Sequence, residues 1–62
     1  MENNIKYYRL KNGFTQSKLA ELIGVNQNTI SEYEYGKYYP AMDIAIKLSE
    51  VLNLSVNHVY KK

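Results

Sequence analysis

The chain contains no cysteine, a single proline and a single histidine. Without cysteine there is neither a disulfide nor a thiolate metal site. One histidine, His58, cannot build a metal centre unaided, and no Asp, Glu or Cys pattern around it suggests catalysis. No apolar run approaches the roughly 18 residues that a membrane-spanning helix requires. The opening Met1-Glu2-Asn3-Asn4 lacks the charged start and apolar core of a signal peptide. A cytoplasmic location is therefore expected, and the initial methionine favours a whole protein over an excised domain. Charge of one sign is scarce as well: 8 Lys and Arg against 6 Asp and Glu leave a formal net charge of +2. So small an excess does not by itself identify a nucleic-acid binder. Neither a nucleophile–base pair nor a phosphate-binding glycine loop is present. The sequence thus predicts no enzyme, no catalytic residue, no cofactor and no metal.

With 62 residues there is room for one domain, 1–62. A chain this short buries only about 60% of its unfolded surface. Its 45% apolar content is ordinary for a globular protein and argues against disorder. Asn, Tyr, Lys and Ile are abundant, as AT-rich genomes tend to encode, which hints at a low-GC bacterium or its phage.

The stretch from Thr15 to Gly36 carries the strongest pattern. Thr15 and Asn26 are N-cap types, and Phe14 and Val25 before them are placed to staple to Leu19 and Ile30. Leu19, Ala20, Leu22 and Ile23 make the apolar face of a helix over about Gln16 to Ile23. Gly24 and Gly36 supply the left-handed conformation that ends a helix. A second helix runs from about Gln27 to Tyr35, with Ile30 and Tyr33 inward. Two capped helices with so short a link are a helix-turn-helix, residues 16–35. Before it, a helix capped by Asn3 or Asn4 carries Ile5, Tyr8 and Asn12 on one face, and Gly13 ends it. After it, Pro40 opens a helix over about Ala41 to Leu52, with Met42, Ala45, Ile46, Ser49 and Leu52 inward. Ser55 can cap a last short helix over Val56 to Tyr60.

Arg9, the run Gly13-Phe14-Thr15-Gln16, Leu19-Ala20, Gly24-Val25, Ile30-Ser31, Glu34, Gly36-Lys37 and Pro40 stand in an ordered set. From about Ile5 to Tyr60 this set resembles the Cro/repressor-type helix-turn-helix family, also called the XRE family. The resemblance implies an all-α fold, a compact five-helix bundle of the lambda-repressor-like type, whose third helix enters the DNA major groove. It also implies that Gln16 contacts phosphate and that Arg9 and Glu34 form a structural ion pair.

Gln27, Asn28, Ser31, Glu32 and Tyr35 share the outer face of the third helix at about 100° per residue. Solvated faces are usually rich in Lys and Glu, which favour helix, whereas Asn and Ser do not. Gln and Asn can bond adenine bidentately, and a carboxylate can accept from the cytosine amino group. Gln27, Asn28, Ser31 and Glu32 are therefore the expected base readers. Gln16, Lys18, Tyr35, Lys37, Tyr38 and Tyr39 are the expected phosphate contacts, since amides, ammonium groups and phenols all serve. Lys18 departs from the family, where Glu often completes a capping box. Glu32 departs where a basic or amide residue is common, and Tyr38-Tyr39 departs where the connector is commonly basic.

Ile44, Leu48 and Val51 form a second apolar stripe on the fourth helix. With Leu54, Val59 and Tyr60 it is the expected dimer face, unless the last helix covers it within one monomer. The expected partner is a double-stranded operator of two-fold symmetry, bound by a homodimer acting as a transcriptional repressor. A rival is a protein-interaction module on the same fold, antitoxin-like or otherwise partner-binding, with weak or lost DNA binding. Glu32, the low net charge and the tyrosine connector favour that rival; the amide-rich face opposes it.

Overall fold

The computed structural model describes residues 4–60. Five helices follow one another: α1 (Asn4–Lys11), α2 (Gln16–Ile23), α3 (Gln27–Tyr35), α4 (Met42–Leu52) and α5 (Val56–Tyr60). There is no strand among the described residues, and the all-α architecture is the one the periodicity predicts. No helix is long and apolar enough to cross a membrane, among the described residues.

The boundaries of α2 and α3 follow from their caps. Thr15 is extended, and its hydroxyl accepts from the Lys18 amide at 3.0 Å. Asn26 is extended too, and its Oδ1 accepts from the Thr29 amide at 2.9 Å. Each bond satisfies a donor that a helix start leaves without a partner. At the far ends, Gly24 and Gly36 take φ of 80° and 84°. The Glu32 carbonyl accepts from the Lys37 amide and the Tyr33 carbonyl from the Gly36 amide, the paired bonds of a Schellman ending. Gly24-Val25-Asn26 is the whole link between the two helices.

A Cβ added at Gly24 would meet nothing within 4 Å, so any penalty there is conformational. Gly24→Ala should therefore destabilise by about 1 kcal/mol, the left-handed cost for an L residue. Gly24→Asn should lose less, because asparagine tolerates that conformation. Thermal melts of the two variants check the ordering.

The core draws on every helix: Ile5, Leu19, Ala20, Ile23, Ile30, Tyr33, Ala45, Leu48, Leu52 and Val59 are all buried. α2 packs chiefly on α3, and α5 closes over α4. Leu22 lies to one side of the buried arc of α2 and is exposed.

The inner face of α4 differs from the expectation. Met42 and Ile46 point outward, 56% and 44% exposed, while Leu48 is fully buried at 0%. Two adjoining apolar arcs run along this helix. Packing of α1, α2 and α5 on α4 selects the arc centred on Ala45, Leu48 and Leu52, with Ile44 and Val51 half-buried beside it. The expected dimer face is corrected accordingly. Leu48 and Val59 are 0% and 1% exposed within one copy of the chain, so neither can meet a second copy. Ile44, Val51, Leu54 and Tyr60 are half-buried, and the Tyr60 hydroxyl donates to the Pro40 carbonyl at 3.0 Å.

α1 also starts differently. Asn4 is its first residue, and the amide donates to the His58 carbonyl at 2.8 Å, tying α1 to α5. The other cap candidate, Asn3, lies outside the described residues. Asn12 adds a second tie, donating to the Tyr8 carbonyl at 2.7 Å and the Leu52 carbonyl at 3.2 Å. His58 stacks on Tyr8 with ring centroids 6.4 Å apart.

Candidate nucleic-acid interface

α3 presents two unlike faces. Ile30, Tyr33 and Glu34 are buried, whereas Gln27, Asn28, Ser31 and Tyr35 are exposed. Tyr35 is 76% exposed. The Asn26 cap holds the start of the helix through the Thr29 amide and the Thr29 hydroxyl, the latter at 3.0 Å. Gln27 and Asn28 therefore project from an end whose geometry is defined, and their amides remain open to a ligand.

A buried polar cluster anchors this helix to its neighbours. Arg9 on α1 donates through Nε to Glu34 Oε2 and through Nη2 to Glu34 Oε1, the latter at 3.2 Å. Its Nη1 donates to the Phe14 carbonyl at 2.8 Å. The two charged side chains are only 9% and 5% exposed, so the fork-to-carboxylate geometry is shielded from water. Gln16, at the first turn of α2, donates to Glu34 Oε1 at 3.1 Å. One carboxylate on α3 thus receives bonds from α1 and α2 and fixes the angle between the helices. Gln16 is half-buried and turned toward Glu34 rather than standing free at the surface. Its amide has a second N–H and a carbonyl oxygen, so the bond orients it without exhausting it.

Glu32 is placed differently from its expected base-reading role. Its Oε1 accepts from the Tyr38 hydroxyl at 2.6 Å and its Oε2 from Lys37 Nζ at 3.1 Å. Both oxygens are engaged by the connector after α3, not held open toward a groove. The Tyr38 hydrogen bond, then the Lys37 ammonium, hold the Glu32 carboxyl below the usual carboxylate range. The same bond to Glu32 pushes the Tyr38 phenol up. The sign follows: the contact is intact at neutral pH and is lost as pH falls through the lowered Glu32 value. Tyr38 is steadied further by an edge-on contact with the buried Tyr33 ring, 5.6 Å between centroids.

The remaining expected phosphate contacts are on the surface. Lys18 is exposed and pairs with Glu21 at 3.3 Å, one turn along α2. Tyr39 is half exposed and meets the Tyr60 ring edge-on at 5.8 Å. Among the contacts that sequence reasoning missed are Gln16 to Glu34 and Glu32 to Tyr38. The first joins residues on separate helices and the second crosses a left-handed cap, so helical periodicity signals neither.

The pattern of the helix-turn-helix family matches residues 5–59. An HTH-type transcriptional regulator of Methanocaldococcus jannaschii is 35% identical over 60 residues, which span 97% of this chain and 91% of that protein. Antitoxin HipB of Escherichia coli is 38% identical over 56 residues, 90% of this chain and 60% of HipB. Among solved structures, the N-terminal DNA-binding domain of SinR from Bacillus subtilis superposes with a TM-score of 0.83 at 33% identity, covering 95% of this chain and 87% of the SinR domain. With its two capped helices, its Gly24 turn and its buried Arg9–Glu34 pair in place, the chain belongs to the XRE-type helix-turn-helix family.

Proposed function

We propose that this domain binds double-stranded DNA in a sequence-specific manner and regulates transcription, as a repressor on a two-fold operator. The observation that carries the reading is the outer face of α3, where Gln27, Asn28 and Ser31 stand exposed behind a capped N-terminus. In the helix-turn-helix docking geometry that end faces the groove floor. An amide there offers one donor and one acceptor, the pattern of the adenine edge. Lys18, Tyr35 and Tyr39 flank it as backbone contacts, with Gln16 oriented by Glu34. The DNA-binding domain of SinR, which shares this fold, supports the same partner.

Size argues for two copies. The domain is about 22 Å across. Half-sites one helical turn apart are separated by about 34 Å. One copy can fill one groove, so a two-fold site takes a pair. The rim of Ile44, Val51, Leu54 and Tyr60, half-buried beside the core, is the remaining part of the expected dimer face. Val51→Lys should leave helicity intact and give a monomer in sedimentation. A parent protein that is itself monomeric at high concentration would rule out a pair formed ahead of DNA.

The test of DNA binding is retention of a random-sequence duplex over a range of salt. Log affinity should fall linearly with log salt, by about 0.9 for each phosphate neutralised. Absence of any salt-sensitive retention would move the function to a protein partner, the reading that the likeness to antitoxin HipB favours.

A further inference from the structure

From the contacts around Glu32 we infer that its carboxylate is an internal stand-in for a DNA phosphate, holding Lys37 and Tyr38 until the DNA backbone displaces it. The inference rests on the DNA-binding reading above and assigns Glu32 a role in setting affinity instead of reading a base. The geometry is specific. Lys37 and Tyr38 are the first two residues after the Gly36 cap, and their donors converge on the two oxygens of one carboxylate, at 3.1 and 2.6 Å. The backbone repeats the link, since the Lys37 amide donates to the Glu32 carbonyl at 3.0 Å. Tyr38 is also steadied against Tyr33, so its hydroxyl is held at the carboxylate by two contacts.

An ammonium and a phenol aimed at one anion are what a phosphate oxygen would receive. Lys37 is still 62% exposed at the side chain, so a phosphate can approach it from solvent. Exposed pairs of this kind are weak and exchange readily. While the contact lasts, Lys37 brings no net charge to that edge. Binding there swaps a carboxylate for a phosphate and leaves Glu32 facing the backbone uncompensated. Glu32 therefore lowers affinity for all sequences alike and removes about one phosphate contact from the salt dependence.

The experiment is a double-mutant cycle on a random-sequence duplex, read by fluorescence anisotropy from low to high salt, with a thermal melt of each protein. Glu32→Gln should bind roughly three- to tenfold more tightly near 0.1 M salt, with a slope steeper by about one. Lys37→Ala should change the parent by less than about twofold, yet remove the gain when combined with Glu32→Gln. Equal or weaker binding by a folded Glu32→Gln protein overturns the inference. So does a Lys37→Ala cost that is the same in both backgrounds, because the gain would then be general charge removal. A second readout needs no DNA: the Tyr38 ring, followed by carbon-13 NMR against pH, should titrate lower in Glu32→Gln than in the parent. Identical Tyr38 titrations show that the contact is absent in solution and overturn the inference on their own. If Tyr38 shifts but neither protein retains DNA at any salt, the DNA-binding reading fails, and the inference falls with it for that separate reason.

Discussion

Arg9→Met should destabilise the domain by about 3–5 kcal/mol, the cost of leaving a buried charge without its partner. The substitution removes three bonds at once: two to the Glu34 carboxylate and one to the Phe14 carbonyl. Glu34 would keep the Gln16 amide on Oε1, but its side chain is only 5% exposed and water cannot replace the guanidinium. Total stabilities of natural domains are about 5–15 kcal/mol, and a chain this short belongs near the low end. The variant should therefore melt more than about 15 °C below the parent. Replacing both partners with apolar residues should recover much of the loss, since a buried pair fixes geometry more than it adds stability. Recovery should stay incomplete, because the Phe14 carbonyl is left without its donor. Urea and thermal melts of the single and double variants decide it. A single variant that melts with the parent would remove the pair from the description of the scaffold.

What could be read in advance follows from how local each signal is. The limits of α2 and α3 were legible because Thr15, Asn26, Gly24 and Gly36 act on backbone within one turn of themselves. The exposed Gln27, Asn28 and Ser31 were legible from helical period alone. The rotation of α4 was not. Ala45 lies between two apolar arcs, and only the docking of α1, α2 and α5 around the helix, the first two distant in sequence, decides that Leu48 goes inward and Ile46 outward. That is why part of the expected dimer face proved to be core. The partners of Glu32 were not legible for a related reason. Its position on the helix wheel is correct, but the chain turns back after Gly36 and brings Lys37 and Tyr38 onto its carboxylate. The wheel describes only the helix, not what its cap folds against it.

The second large effect concerns the base readers. Gln27 is the first residue of α3, exposed, and remote from the buried face formed by Ile30, Tyr33 and Glu34. Truncating it should cost the fold little, so a change in binding reports on recognition. Gln27→Ala should lose about 1–3 kcal/mol on the preferred operator, the range for one bidentate base contact. Stability should stay with the parent, because the Asn26 cap and its bond to Thr29 are untouched.

The measurement that decides whether α3 reads DNA is the affinity of the parent and Gln27→Ala for two duplexes, an operator selected from random DNA and an unselected sequence, across salt. The expected result is a loss confined to the operator, with random-sequence affinity and salt slope unchanged, since no phosphate contact is removed. Equal weakening on both duplexes would make Gln27 a positioning residue and contradict base reading from the start of this helix.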